Sequence, residues 1–265
     1  MKKKSIAIIM AVLAVILCVT LAACGGEKKD PATSDLAYIQ EKGKLIVGMT
    51  DYAPMNYKEK GSDEWTGFDT EFALAVAKEL GVEVEFIEIN WDNKYLELEA
   101  KDIDCIWNGL TITEEGKLNA NISNPYVKNA QVVVMKKDAL AKYADAASIK
   151  DLKFAAEAGS AGESEIQALE VKNYISVNTQ ADSLLEVASG KVDACLIDIT
   201  MANAMTGVGT SYADLGYAIE LSTEEYGIAF RKDSDVTAEV NKIMAALIEN
   251  GTLKDLAAKY ELTLA

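Results

Sequence analysis

Residues 101–109 read KDIDCIWNG and residues 190–198 read GKVDACLID, and these two stretches decide the fold that the sequence predicts. In each, a lysine and an acidic residue precede a short apolar run that is typical of a buried strand, and polar groups end the run. The similarity is one of layout and is too weak to be a sequence repeat. It nevertheless indicates two halves of the chain that are built in the same way.

Strand and helix patterns alternate around both stretches. Residues 44–49 (KLIVGM) and 82–89 predict strands on either side of a helix pattern at 69–80. The alternation begins again with a strand at 154–158, and residues 159–163 (GSAGE) predict the turn into another helix. This order predicts an α/β protein with two lobes, each an open sheet with right-handed crossovers. A ligand is expected beyond the carboxyl ends of the strands, in the cleft between the lobes.

The first 23 residues have the pattern of an export signal. MKKK precedes an apolar run at 6–21, which ends in LAAC at Cys24. This ending resembles the lipobox of bacterial lipoproteins, in which the cysteine is acylated and becomes the mature N-terminus. We therefore expect a signal peptide at 1–23, an acyl (palmitate) anchor on Cys24, and a polar, flexible tether at 24–35. The expected location is the extracytoplasmic face of the cell membrane.

Composition excludes several classes of function. The net charge is −16, and removal of the three leader lysines leaves about −19, which argues against nucleic acid as a partner. The chain has no histidine, so Ser-His-Asp and Cys-His catalysis are excluded. Beyond the leader and Cys24, only Cys105 and Cys195 remain, too few for a zinc site or a disulfide framework. We expect no metal and no other cofactor, and we expect these two cysteines to pack as small apolar residues.

Several short motifs follow one another in the order found in a known family. The chain resembles the amino-acid-type (family 3) substrate-binding proteins of bacterial ABC importers, which have a type II periplasmic-binding-protein fold. Each motif alone is weak, and the ordered set is specific. The motifs are residues 48–54 (GMTDYAP), 67–69 (GFD), 108–115 (NGLTITEE), 123–126 (SNPY), 158–160 (AGS), 192–198 (VDACLID) and 226–229 (YGIA).

The resemblance implies a domain organisation and a function. Lobe 1 is expected at 36–127 plus 222–265 and lobe 2 at 128–221, with hinges near 129–132 and 222–226. The protein is expected to be a monomer that captures an amino acid or a related small amine-bearing solute. It would deliver this solute to the permease of an ABC importer.

The resemblance also implies a set of ligand contacts. The ring of Tyr52 would lie against the ligand and Trp91 would line the wall, while helix-start amides would suit a carboxylate and a strand-end carboxylate would take the α-ammonium. Hydrogen bonds from lobe 1 would come from Asn108, Gly109 and Thr111. The helix-start amides would be those of Ser160 and Ala161, and the carboxylate that takes the ammonium would be Asp198.

Gly116 departs from the family pattern. The family has an arginine there that clamps the carboxylate of the ligand, and the neighbouring Lys117 does not reproduce its planar fork. Backbone amides, with or without Lys117, could compensate, or binding could be weakened. Alternatively the ligand is an organic cation without a carboxylate, because an acidic site beside aromatic rings suits a cation. The residues that would make such a site are Asp51, Glu157, Asp198, Tyr52, Trp91 and Trp107.

Two other classes of function compete with solute binding. The same fold is known to host a dehydratase of cyclic acids, and Glu157 is the one acid or base that the sequence offers for such chemistry. A sensory or adhesive lipoprotein is the third class. We expect a binding protein and not an enzyme, because binding explains the lipobox, the two lobes and the ordered motifs together.

Overall fold

The computed structural model describes residues 29–265, so the leader and Cys24 lie outside the described residues. Within that range no helix combines the length and the apolar character needed to cross a bilayer. The chain alternates strands and helices from end to end. The first part forms α1 Asp35–Lys42, β1 Lys44–Met49, β2 Tyr57–Lys58, β3 Trp65–Thr66, α2 Phe68–Leu80, β4 Glu83–Glu88, a 3-10 turn Trp91–Asn93, α3 Lys94–Ala100, β5 Cys105–Thr111, α4 Glu114–Asn119 and β6 Asn121–Ile122.

The second part repeats this alternation and then returns to the first half of the molecule. It forms β7 Val127–Lys136, α5 Lys137–Leu140, β8 Lys153–Glu157, α6 Ala161–Ala168, β9 Asn173–Val177, α7 Gln180–Ser189, β10 Ala194–Asp198, α8 Ile199–Met205, β11 Leu215–Phe230, α9 Val236–Glu249 and α10 Thr252–Lys259. The predicted α/β class is confirmed.

Nine of the described strands form one sheet that runs through both halves, and β2 and β3 pair with each other in a separate two-stranded sheet. The order of the larger sheet is β4-β1-β5-β11-β7-β10-β8-β9, with β6 paired to β11. The strands β7 and β11 pair antiparallel from Tyr226↔Val127 to Leu215↔Lys136, so they belong to both halves. β5 pairs with the C-terminal part of β11, and β10 pairs with the C-terminal part of β7. Because β7 and β11 are antiparallel, these two pairings lie at opposite ends of the β7–β11 pair. The two predicted sheets are therefore continuous through the two crossing strands.

Local sequence signals mark the ends of several helices. Ser34 caps α1 by accepting a hydrogen bond from the Ala37 N–H, and Gly81 ends α2 at a φ of 73°. Asp69 lies inside the first turn of α2 and is fully buried. Its Oδ2 accepts hydrogen bonds from the Gly109 N–H at 2.7 Å and the Tyr126 hydroxyl at 2.9 Å. Asp69 thus fixes the end of β5, which leads into the cleft.

The core lies against both faces of the sheet. Trp107 is 0% exposed, and its ring meets that of Phe72 edge to face, with centroids 4.8 Å apart. Cys105 and Cys195 are buried free thiols, as the sequence predicted. The helices therefore cover the sheet, and the strand ends between the halves are left for polar groups.

Candidate functional site

A cleft of about 240 Å³ lies between the two halves, at the carboxyl ends of β5, β8 and β10. Nine of the twelve residues that the sequence places at the ligand site line it. From the first half these are Trp91, Asn108, Gly109, Thr111 and Gly116, and from the second half Glu157, Ser160, Ala161 and Asp198.

Three predicted residues do not line this cleft. Trp107 points into the core because neighbouring residues of a strand face opposite sides of the sheet, and Asn108 takes the cleft side. Asp51 is exposed on the loop after β1. Tyr52 is 2% exposed and is held below the cleft by its hydroxyl, which lies 2.5 Å from Thr200 Oγ1. Tyr52 therefore does not line the cleft in this arrangement, and its contact with a ligand stays a prediction.

The backbone at Gly109 explains how close Tyr52 comes to β5. Gly109 has a φ of 59°, and a Cβ at this residue would lie 2.7 Å from Tyr52 Cε1. Only glycine accommodates both the left-handed backbone and the approach of the ring. Gly109 thus serves the packing beneath the cleft.

The polar side chains of β5 form hydrogen bonds with other residues of the protein. Asn108 Oδ1 accepts from the Thr50 N–H at 3.0 Å, and its Nδ2 donates to the Thr50 carbonyl at 3.0 Å. The Thr111 hydroxyl donates to Glu224 Oε1 at 2.8 Å. Asn108 therefore ties the loop after β1 to β5, and Thr111 connects β5 to β11.

Asp198 ends β10 and is held by side-chain amides. Its Oδ1 accepts from Asn129 Nδ2 at 2.5 Å and from Gln131 Nε2 at 2.6 Å, and its Oδ2 accepts from the Gln180 amide. Burial raises the pKa of Asp198, and the amide donors counter this by stabilising the carboxylate. Asp198 is only 3% exposed. Its free lone pairs can therefore be reached only by a group that lies inside the cleft.

Glu224 shares the same amide donors from the crossing strand β11. Its Oε1 accepts from Asn129 Nδ2 at 2.5 Å and from Gln131 Nε2 at 2.8 Å. Burial and the charge of Asp198 raise the pKa of Glu224 to about 7. No local pattern marks Glu224 as a site residue, because an acidic residue in a polar stretch of a strand ordinarily faces solvent.

Glu157 supplies an open acceptor at the end of β8. It is 2% exposed, and its Oε1 has no hydrogen-bond partner in the described part of the chain. Burial raises the pKa of Glu157 to about 8, and the charge of Asp198 adds to the increase. A buried carboxyl oxygen without a partner is costly, so a donor from a bound molecule would stabilise it.

Lys94 is a cleft residue that the sequence analysis missed. Its Nζ donates to the Trp91 carbonyl at 3.1 Å and, across the cleft, to the Gly159 carbonyl at 2.8 Å. Burial lowers the pKa of Lys94, while the charge of Glu157 acts in the opposite direction. Lysines near a helix start are ordinarily solvated, so its position in the sequence did not suggest a site.

The space beside Gly116 is occupied by Tyr95. A Cβ at Gly116 would lie 2.8 Å from the Tyr95 hydroxyl oxygen and 3.2 Å from Thr113 Oγ1. Lys117 points away, and its exposed Nζ donates to Glu114 at 2.7 Å. Lys117 is therefore not placed to compensate for the missing arginine.

The start of α6 faces the cleft. Ser160 caps this helix because its Oγ accepts from the Glu163 N–H at 3.1 Å. Ala161, the first helical residue, lines the cleft, and an N–H in the first turn has no acceptor within its own helix. Across residues 29–265, no group of three Cys, Asp or Glu side chains is placed to hold a metal ion. The cleft thus combines buried carboxylates, one buried ammonium and a helix start.

Comparison with known proteins gives consistent results across the whole fold. The model of the bacterial extracellular solute-binding proteins, family 3, matches residues 45–263. The arginine-binding extracellular protein ArtP of Bacillus subtilis is 33% identical over 261 residues, covering 94% of this chain and 96% of its own. The L-cystine-binding protein TcyA of the same organism is 32% identical over 281 residues, covering 98% and 97%.

Solved structures agree with the sequence matches. An amino acid ABC transporter substrate-binding protein from Streptococcus pneumoniae, bound to L-arginine, has a TM-score of 0.78 and 28% identity, covering 88% of this chain and all of its own. The ancestral amino acid-binding protein AncCDT-1, described as a precursor of cyclohexadienyl dehydratase, has a TM-score of 0.78 and 31% identity. That match covers 86% of this chain and 99% of the other.

Proposed function

The chain belongs to family 3 of the bacterial extracellular solute-binding proteins, and from this premise we propose that it captures an amino acid or a related small amine for an ABC importer. Three of the proteins named above bind arginine or cystine, by their names, and the fold is the two-lobed type II fold. The observation that carries the proposal is the buried carboxylate of Asp198, with the buried carboxyl group of Glu157 in the same cleft.

Asp198 is the proposed contact for the amine. Three side-chain amides hold its carboxylate in place at the end of β10. A cationic ammonium in the cleft would add a charge-assisted hydrogen bond to a carboxylate that is already desolvated. Glu157, whose Oε1 is open, would take a second donor of the same ligand.

The lobes are proposed at residues 36–127 plus 222–265 and at residues 128–221. This division is supported by the pairing of β5 with one end of β11 and of β10 with the other end of β7. Ligand binding would close the lobes about the crossing strands. The unpaired acceptor of Glu157 gives such closure a favourable contact to form.

The partners and the location are further parts of the proposal. The protein would be a monomer, held on the extracytoplasmic face of the membrane by the acylated Cys24, and would deliver its solute to an importer permease. The LAAC ending of the leader supports the anchor. Relatives described as extracellular support the compartment.

A binding role without catalysis is also proposed, with a dehydratase as the second candidate. Glu157 favours the second candidate, because a pKa of about 8 leaves its carboxyl protonated at neutral pH and able to donate a proton. Incubation with prephenate and with arogenate tests this candidate. Formation of product that Glu157→Gln abolishes would establish catalysis, and binding without product would reject it.

The experiment for the binding role compares the wild type with Asp198→Asn. A thermal-shift panel of the twenty amino acids and L-cystine identifies ligands, and calorimetry then gives dissociation constants. We expect Asp198→Asn to weaken binding at least tenfold, since loss of a buried charge partner costs about 2 to 5 kcal/mol. Asp193→Asn, an exposed residue just before the same strand, is the matched control. An unchanged dissociation constant in Asp198→Asn would remove Asp198 from the site.

A further inference from the structure

Within the described part of the chain the buried ammonium of Lys94 forms no ion pair, although the charge of Glu157 acts on it from a greater distance. None of the ion pairs within residues 29–265 includes this lysine. Its side chain is only 7% exposed, and its two acceptors are neutral carbonyl oxygens. An ammonium has three N–H donors, so one remains for a further acceptor. A buried cation without a counter-ion is unfavourable, and an anionic group of a ligand would correct this.

The position of Lys94 brings it close to the start of α6. Its Nζ bonds to the carbonyl of Gly159, which lies two residues before Ala161. Both Lys94 and Ala161 line the cleft, and the first-turn N–H of Ala161 has no acceptor in its own helix. The ammonium from one lobe and the helix start from the other thus border the same part of the cleft. Both favour negative charge.

Tyr95 connects this region to Gly116. The Lys94 Nζ lies 5.1 Å from the centroid of the Tyr95 ring, and the hydroxyl of that ring fills the space beside Gly116. A side chain at residue 116 would have to displace Tyr95. The ammonium of Lys94 thus lies over the Tyr95 ring, and Gly116 lies at the hydroxyl end of the same ring.

We propose that Lys94, in place of the arginine missing at residue 116, is the cationic partner of the ligand carboxylate beside the helix-start amides, and that the ligand is therefore a zwitterion. The inference rests on the proposed function and specifies the class of solute. The ammonium of the ligand faces Asp198 and Glu157, while its carboxylate completes the coordination of Lys94. An organic cation without a carboxylate would leave Lys94 unpaired and would add a like charge to the cleft.

Paired ligands test this assignment directly. L-arginine, L-glutamine and L-histidine are compared with their α-carboxamides, which keep the side chain and the ammonium but lack the carboxylate. Calorimetry measures each acid that binds, together with its amide, on the wild type, Lys94→Met and Lys94→Arg. Each ligand is compared across proteins, so the different ammonium basicities of acid and amide cancel. We expect Lys94→Met to weaken the acid about tenfold or more and the amide less than twofold.

The remaining outcomes separate this proposal from the function on which it rests. Lys94→Arg keeps the charge and should retain most of the preference for the acid. Equal losses for acid and amide in Lys94→Met would assign Lys94 to lobe contact alone and overturn the proposal, while amino-acid binding itself would stand. Tighter binding of the amide than of the acid by the wild type would also overturn it. Failure of all three acids and of every amino acid in the panel would overturn both. Thermal unfolding of each variant confirms that it is folded.

Discussion

The hydroxyl oxygen of Tyr52 lies 2.5 Å from Oγ1 of Thr200, so a single hydrogen bond joins the loop after β1 to the start of α8. The hydroxyl of Tyr226, on the crossing strand β11, lies 2.6 Å from that of Tyr52 and 2.9 Å from Thr200 Oγ1. All three hydroxyls are buried. This cluster is a direct contact between the proposed lobes, and it favours their closed arrangement.

Thr200→Val should shift the protein towards an open form. The substitution keeps the shape and removes a hydroxyl that lies within hydrogen-bonding distance of both Tyr52 and Tyr226. Each such bond has a net value of about 0.5 to 1.5 kcal/mol, so the open fraction should rise by about twofold or more. Small-angle scattering without ligand should show a larger radius of gyration than for the wild type. Thr210→Val, in a turn away from the lobe contact, is the control. Identical scattering from all three proteins would contradict a role for this cluster in closure.

Glu157 should make stability depend on pH. Its pKa rises from an ordinary value of 4.5 to about 8 in the folded protein. Between these values the unfolded chain releases the proton and the folded protein retains it, so stability falls by up to about 1.4 kcal/mol per pH unit as pH rises. Below this window both states are protonated, and the effect vanishes.

Glu157→Gln should remove this contribution. Urea unfolding between pH 5 and 8 should show the variant gaining stability relative to the wild type as pH rises. Glu249→Gln, at an exposed glutamate in the last turn of α9, controls for the loss of one negative charge. Parallel curves for wild type and Glu157→Gln would show that the carboxyl is ionised in the folded protein.

Gly116→Arg alone should overpack the cleft and should not tighten ligand binding. Combined with a second substitution that makes room for the arginine, it should tighten binding. The φ of Gly116 is not left-handed, so the obstacle is the Tyr95 hydroxyl, 2.8 Å from the new Cβ. Overpacking of this kind costs about 1 to 3 kcal/mol. Tyr95→Ala should relieve it, and the double variant should bind a carboxylate-bearing ligand more tightly than Tyr95→Ala alone. Unfolding and calorimetry on all four proteins measure the coupling, and strictly additive effects would exclude it.

Cys24→Ser should release the mature protein from the membrane. The serine hydroxyl does not replace the thiol that receives the lipid, and acyl chains are what hold such a protein on a bilayer. After cell fractionation, the variant should be found in the soluble fraction. It should no longer partition into the detergent phase. Retention of Cys24→Ser in the membrane would show that the protein is held there by something other than an acylated Cys24.

The sequence predicted the parts of the site that follow from strand order. Asp198 and Glu157 end apolar strands, and the ends of parallel strands meet at one edge of a sheet, so both reach the cleft. Trp107 lies in the core and not at the cleft, because two adjacent residues of a strand face opposite sides, and the apolar run around it does not reveal which side is buried. Trp91 lies in a turn before a helix, so the alternation of sides along a strand does not apply to it.

Other features depend on contacts between distant segments. Lys94 reaches the cleft only because the Gly159 carbonyl, 65 residues later, lies 2.8 Å from its Nζ. Tyr52 withdraws from the cleft because Thr200 and Tyr226 hold its hydroxyl. Neither relationship has a local pattern, since each is set by how the halves pack and not by the residues beside it.

The pairing of β7 with β11 has a mechanical consequence. Because these adjacent strands are hydrogen-bonded from Tyr226↔Val127 to Leu215↔Lys136, they flex together as one ribbon, and the halves can turn about it without breaking the main-chain ladder. The barrier to opening then resides in the side chains that cross the cleft, such as Lys94 and Tyr52. In the closure proposed above, the loaded and the empty protein would differ mainly in one angle between the two halves.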